Sequence, residues 1–163
     1  MLIDELKSIA REKGIVGAGG AGFPAYAKMT DKADTVILNC IECEPLLKLH
    51  RQLLAVHTAE IIQMLDEVRE IFGAKEAIVG IKNEYKTTIK ALKEVLVDYP
   101  KVRISELKPA YPMGDEVVLI YETTGRRIKP GGIPIDENVV VYNVETMYNL
   151  YRAVFVLLYE KFY

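Results

Sequence analysis

The run Asp34-Thr35-Val36-Ile37-Leu38-Asn39-Cys40 decides the fold. It is β-branched and almost wholly apolar, without the alternation of a half-exposed strand, so it suits a strand buried on both faces of a parallel sheet. A polar loop, Glu42 to Pro45, stops it. Downstream, Leu49, Leu53, Leu54, Ile61, Leu65, Val68 and Phe72 keep a helical period up to Gly73, which predicts one long helix starting at Pro45. Glu76 to Ile81 reads as a second strand, Tyr85 to Leu96 as an amphipathic helix, and Lys101 to Leu107 as a third strand. Strand, helix, strand, helix, strand at this spacing predicts an α/β fold, a Rossmann-like parallel sheet in three layers.

On the N-terminal side, Leu2, Ile3, Leu6 and Ile9 recur at helical spacing, with Gly14 placed as a C-cap, so residues 2 to 13 read as a short helix before a glycine-rich turn. On the C-terminal side the order is a helix over Asp115 to Thr124, a KPGGIP loop at 129 to 134, a strand over Asn138 to Asn143, and a helix from Glu145. One domain over residues 1–163 is expected. It divides into a helix and glycine loop (1–33), a Rossmann-like core (34–108) and a second α/β portion (109–163).

Composition narrows the function classes. Of 163 residues, 50% are hydrophobic and 27% charged, too apolar for disorder and too charged for a multispan membrane protein. A net charge of −2 offers no drive toward nucleic acid. Two cysteines exclude a disulfide scaffold and any iron-sulfur cluster held by four cysteines of these residues, and make a reducing cytoplasm the simplest home. The first fourteen residues lack a secretory apolar core, and the run Ala153 to Leu158 falls short of the ~20 residues a spanning helix needs, so no direct membrane insertion is expected.

The strongest local signal is Gly17-Ala18-Gly19-Gly20-Ala21-Gly22-Phe23-Pro24, four glycines in six positions followed by Lys28. Such a loop can cradle a phosphate with backbone amides, though it equally reads as a plain turn. Its formal G-x-G-x-x-G fails as a dinucleotide fingerprint, because a helix rather than a strand precedes it. Asn39-Cys40-Ile41-Glu42-Cys43-Glu44-Pro45 stands at the carboxyl end of the first predicted strand, where open α/β sheets bind ligands. Its carboxylates read either as hydrogen-bond acceptors for a ligand or as charges at the next helix N-terminus. Cys40 and Cys43 with His50 and His57 depart from zinc spacing, and acidic neighbours disfavour a Cys43 thiolate, so no metal is expected. Tyr111 to Glu116 and Asn143 to Thr146 put polar side chains at predicted helix starts, where they read as caps or as ligand contacts.

Taken together and in order, GAGGAGFP with Lys28, NCIECEP, YPMGDE, KPGGIP and NVET resemble the flavin-binding subunit of respiratory complex I and, more closely, the C subunit of the Rnf electron-transport complex. Proline-reductase-associated and cobalamin-reductase electron-transfer proteins look alike. The resemblance spans Gly14 to Ala153 and implies an FMN domain that takes hydride from NADH and passes electrons singly to an iron-sulfur subunit or domain. It implies attachment to a membrane complex through partners only. By motif match, Gly17, Gly19, Gly20, Gly22 and Lys28 would line the FMN phosphate and ribityl chain. Asn39, Glu42, Glu116, Asn143 and Thr146 would complete the flavin site, and Phe23, Glu44 and Glu116 would face NADH. Ala18 stands where complex I carries an arginine, and Gly132-Ile133 where it offers an aromatic. The resemblance marks the chain as an N-terminal fragment of such a protein; the alternative is a fragment that keeps the fold and serves only as a binding or assembly module.

Overall fold

The structure is a computed structural model that describes residues 1–18, 22–44 and 46–156. Its elements are α1 (Ile3–Glu12), β1 (Thr35–Cys40), α2 (Leu49–Val56), α3 (Thr58–Phe72), β2 (Glu76–Lys82), α4 (Lys86–Val95), β3 (Val102–Leu107), α5 (Glu116–Thr124), β4 (Val139–Asn143) and α6 (Val144–Tyr151). The four strands form one parallel sheet in the order β3-β2-β1-β4. All six residues of β1 are buried, as its unbroken apolar run requires.

Successive side chains of each strand face opposite ways, which sorts the core into two halves. Val36, Leu38 and Cys40 of β1 pack with Leu6, Leu54, Ile61, Leu65, Leu92 and Met147 from five helices on one face. Ile37 joins Ile78, Val139 and Val141 under Leu119 and Ile120 of α5 on the other. Gly80 of β2 is the point of closest approach there, since a Cβ would lie 2.7 Å from Leu119 Cδ1. The result is the three-layer parallel sheet expected from the sequence.

One expectation is corrected. The long helix from Pro45 is two helices, α2 and α3, with His57 between them at φ −116°, ψ 38°, outside helical space. The Thr58 hydroxyl donates to the Leu54 carbonyl at 2.7 Å, so a side chain satisfies backbone at the break and the apolar period continues across it. Pro45 itself lies outside the described residues. α3 does end at Gly73, whose φ of 69° only glycine adopts freely.

Candidate functional site

The connections from β1 run outward to β2 and β3, and the chain then returns through α5 to place β4 on the opposite side of β1. That reversal leaves a crevice beyond the carboxyl ends of β1 and β4, the usual ligand position of open α/β sheets. Asn39 and Asn143 are register partners at those two ends. A cleft of about 220 Å³ opens there, and Gly17, Phe23, Lys28, Asn39, Glu116, Asn143 and Thr146 all line it.

The glycine loop is closed at its base. Gly17 N–H donates to Phe23 O at 2.7 Å and Val16 bridges Pro24, while Gly22 takes φ 68°. Gly19 and Gly20 lie outside the described residues. The first turn of α6 anchors the near side of the loop: Ala18 N–H donates to Thr146 Oγ1 at 3.0 Å, and the Asn143 side-chain amide donates to Ala18 O. Neither polar side chain caps its own helix. Asp115 does, accepting Val117 N–H at 3.0 Å and Val118 N–H at 3.2 Å at the head of α5.

Across the cleft, Lys28 Nζ lies 3.0 Å from Glu116 Oε1 and 3.3 Å from Val141 O. The Asn39 amide is used at both ends, donating to Gly114 O and accepting from Ile41 N–H, each at 3.0 Å. This ties the end of β1 to the turn before α5. A Cβ on Gly114 would lie 2.7 Å from Cys43 Sγ and 2.8 Å from Ile41 O, so only glycine permits the approach.

Two carboxylates proposed from the sequence are not brought to the cleft. Glu42 turns behind β1, where Oε1 accepts His50 N–H at 2.7 Å and Oε2 stands 4.0 Å from Arg51 Nε. Lys82 Nζ holds its carbonyl at 2.7 Å, and the Arg51 guanidinium covers the Tyr85 ring at 4.7 Å. Burial, aided by the Glu42 charge, pushes the Tyr85 phenol above its ordinary value. Glu42 therefore stabilises the N-terminus of α2, where backbone N–H groups attract a negative charge. Glu44 is exposed and outside the cleft lining, so the two glutamates assigned to the donor side, Glu44 and Glu116, do not share a pocket.

Cys40 is fully buried, and burial together with the Glu42 charge pushes its thiol well up, whereas Cys43 is exposed. Among the described residues no three His, Cys, Asp or Glu side chains are placed to hold a metal ion. No helix among them is long and apolar enough to cross a membrane.

Sequence reading missed two features. Tyr142 lines the cleft, yet its hydroxyl is buried without a hydrogen-bond partner among the described residues. A second groove of about 640 Å³ adjoins the cleft, sharing Phe23, Lys28, Glu116 and Val141 with it and continuing past Met29, Ile133, Pro134 and Val139. Its lining comes from segments far apart in sequence and of ordinary core composition. The Phe23-Pro24 end of the glycine motif is the only local signal for it.

Comparison with known proteins bears on what such a crevice holds. A family model described as the Nuo51 FMN-binding domain matches residues 10–152. The chain belongs to that family. This FMN-binding domain is 41% identical over 149 residues to the cobalamin reductase PduS of Citrobacter freundii, covering 91% of this chain and 33% of that protein. It is 35% identical over 156 residues to the C subunit of the proton-translocating ferredoxin:NAD(+) oxidoreductase complex of Clostridium ljungdahlii, covering 93% and 34%. Among solved structures, an NAD+-reducing [NiFe]-hydrogenase in the air-oxidised state aligns with a TM-score of 0.77 at 26% identity, over 91% of this chain and 30% of that one. The FMN-binding domain thus spans about a third of the length of the curated relatives it matches.

Proposed function

We propose that the chain is the flavin domain of an electron-transfer oxidoreductase, with FMN in the cleft at the β1/β4 switch point and NADH in the adjoining groove. The observation that carries this reading is the shared wall of the two cavities: Phe23, Lys28, Glu116 and Val141 line both. A cofactor and a donor lodged side by side there would meet across one ion pair.

The residues present fit FMN. The glycine loop from Gly17 to Gly22, Lys28 and the α6 N-terminus offer backbone amides and a cation suited to a phosphate. Asn39, Asn143 and Thr146 add amide and hydroxyl groups at the floor. When bound, FMN supplies the conversion between hydride and single-electron chemistry. The chain's own residues bind and orient: Phe23, half exposed between the cavities, offers a face for stacking, and Glu116 offers an acceptor beside Lys28. Glu42 contributes from behind by holding the Cys40–Glu44 turn, and Glu44 would meet a donor only at the rim.

Electrons would leave to an iron-sulfur subunit or domain, since two cysteines cannot hold such a cluster alone. The relative from Clostridium ljungdahlii is one part of a larger complex, which supports a partner-borne exit and a cytoplasmic position beside a membrane complex. The test is anaerobic mixing of the FMN-loaded chain with NADH. Bleaching of the oxidised flavin band is expected; bound flavin that NADH leaves oxidised would count against the donor half of the reading.

A further inference from the structure

The groove beside the cleft is polar at both ends and apolar between. At its inner end Lys28 and Glu116 pair with each other at 3.0 Å. Met29, Ile133, Pro134 and Ile135 form the middle. At its outer end stand Thr30 and Lys32, in a turn closed by Lys32 N–H donating to Thr30 Oγ1 at 3.2 Å. Glu116 is the one acidic residue in the lining among the described residues, and Lys28 neutralises it. Of the nearby acids, Asp136 lies outside the lining and accepts Ile133 N–H at 2.9 Å, and Asp31 also lies outside it. Lys32 takes part in none of the ion pairs among the described residues. An apolar trough that ends in an ammonium and a hydroxyl suits an elongated ligand with a planar, apolar body and an anionic far end.

We propose that Thr30 and Lys32 form an anion subsite that holds a phosphate of the donor nucleotide, so that Lys32 sets donor affinity and selectivity. The proposal rests on the reading of the groove as the donor site. A dinucleotide carries this chemistry in two places, the bridging diphosphate and, in a phosphorylated donor, the ribose 2′-phosphate. Lys32 is exposed, so the contact is a tunable one at the rim rather than a buried anchor.

The experiment uses the FMN-loaded full chain with three hydride donors: NADH, NADPH and 1-benzyl-1,4-dihydronicotinamide, which has no phosphate. Wild type is compared with Lys32→Glu and Lys32→Arg by the apparent KM for flavin reduction. Titration of flavin fluorescence with NAD+ and NADP+ gives Kd independently of turnover. Lys32→Glu is expected to weaken the phosphate-bearing ligands about tenfold, the scale of one lost charge-assisted contact. Lys32→Arg should stay near wild type, and the benzyl donor should react equally with all three proteins. A loss confined to NADPH and NADP+ assigns the 2′-phosphate; equal losses for both dinucleotides assign the diphosphate. Unchanged constants in Lys32→Glu, an equal loss with the benzyl donor, or a flavin-loaded wild type that binds neither dinucleotide overturns the proposal while leaving the FMN site intact. A chain that takes up no FMN removes both.

Discussion

The Lys28 ammonium and the Glu116 carboxylate, 88 residues apart in sequence, meet at 3.0 Å on the wall between two cavities. Each side chain is more than a third exposed, so the pair contributes about 0–1 kcal/mol to stability. Its value lies in placing a cation at the cleft. Lys28→Met should cost less than about 1 kcal/mol in a thermal melt yet weaken FMN about tenfold, the scale of a charge-assisted phosphate contact. Glu116→Gln should weaken FMN less, because it frees the ammonium rather than removing it. Paired FMN titrations and melts on the two variants check this.

Gly114 carries the second prediction. A methyl group there collides with Cys43 Sγ and with the Ile41 carbonyl, and the carbonyl belongs to backbone that Asn39 already fixes. Gly114→Ala should cost about 1–3 kcal/mol and loosen FMN by stretching the Asn39 to Gly114 hydrogen bond. Adding Cys43→Ala removes one of the two collisions and should restore part of the stability. Denaturant melts of the single and double variants measure the recovery.

The two thiols should differ sharply in reactivity. Cys40 is fully buried and its ionisation is opposed by burial and by Glu42, whereas Cys43 is exposed. A thiol-specific disulfide reagent should titrate one group per native chain. Cys43→Ser should abolish that reaction and leave FMN affinity unchanged, and Cys40 should react only after unfolding.

Acid stability should depend on Asp34. Burial opposes its ionisation, but the Arg126 guanidinium at 2.6 Å outweighs burial and holds the carboxyl below its usual range. The folded value then lies below the unfolded one of about 3.9, so the stabilisation is complete above that pH and is lost as pH falls through the folded value. Arg126→Met should therefore cost about 1 kcal/mol at pH 7, with the gap to wild type closing below pH ~4. Urea melts across that range give the slope.

The sheet was readable because its signals are local. The β-branched runs of β1 and β2 and the terminator Gly73 each state their structure within a few residues. The break at His57 was hidden, since one pair of dihedral angles leaves the apolar period untouched and Thr58 satisfies the freed carbonyl. Lys28, Asn39, Glu116, Asn143 and Thr146 were named from ordered motifs, and they line one cleft. Glu42 illustrates the limit of that reading: a loop carboxylate two residues past a strand can turn to a ligand or to the next helix, and here the α2 N-terminus and Arg51 take it. The donor groove was invisible for another reason. Met29, Ile133 and Val139 look like any core residues until the fold lines them up.

The most direct test of the central claim, that the β1/β4 crevice is an FMN site, is calorimetric titration of the purified full chain with FMN, followed by thermal melts with and without it. The account predicts one FMN per chain and a raised melting temperature, about 2.7 kcal/mol of stabilisation at a hundredfold excess over Kd, with Lys28→Met and Gly114→Ala both weakening the binding. A chain that takes up no FMN, or one whose FMN affinity is indifferent to both substitutions, would contradict it.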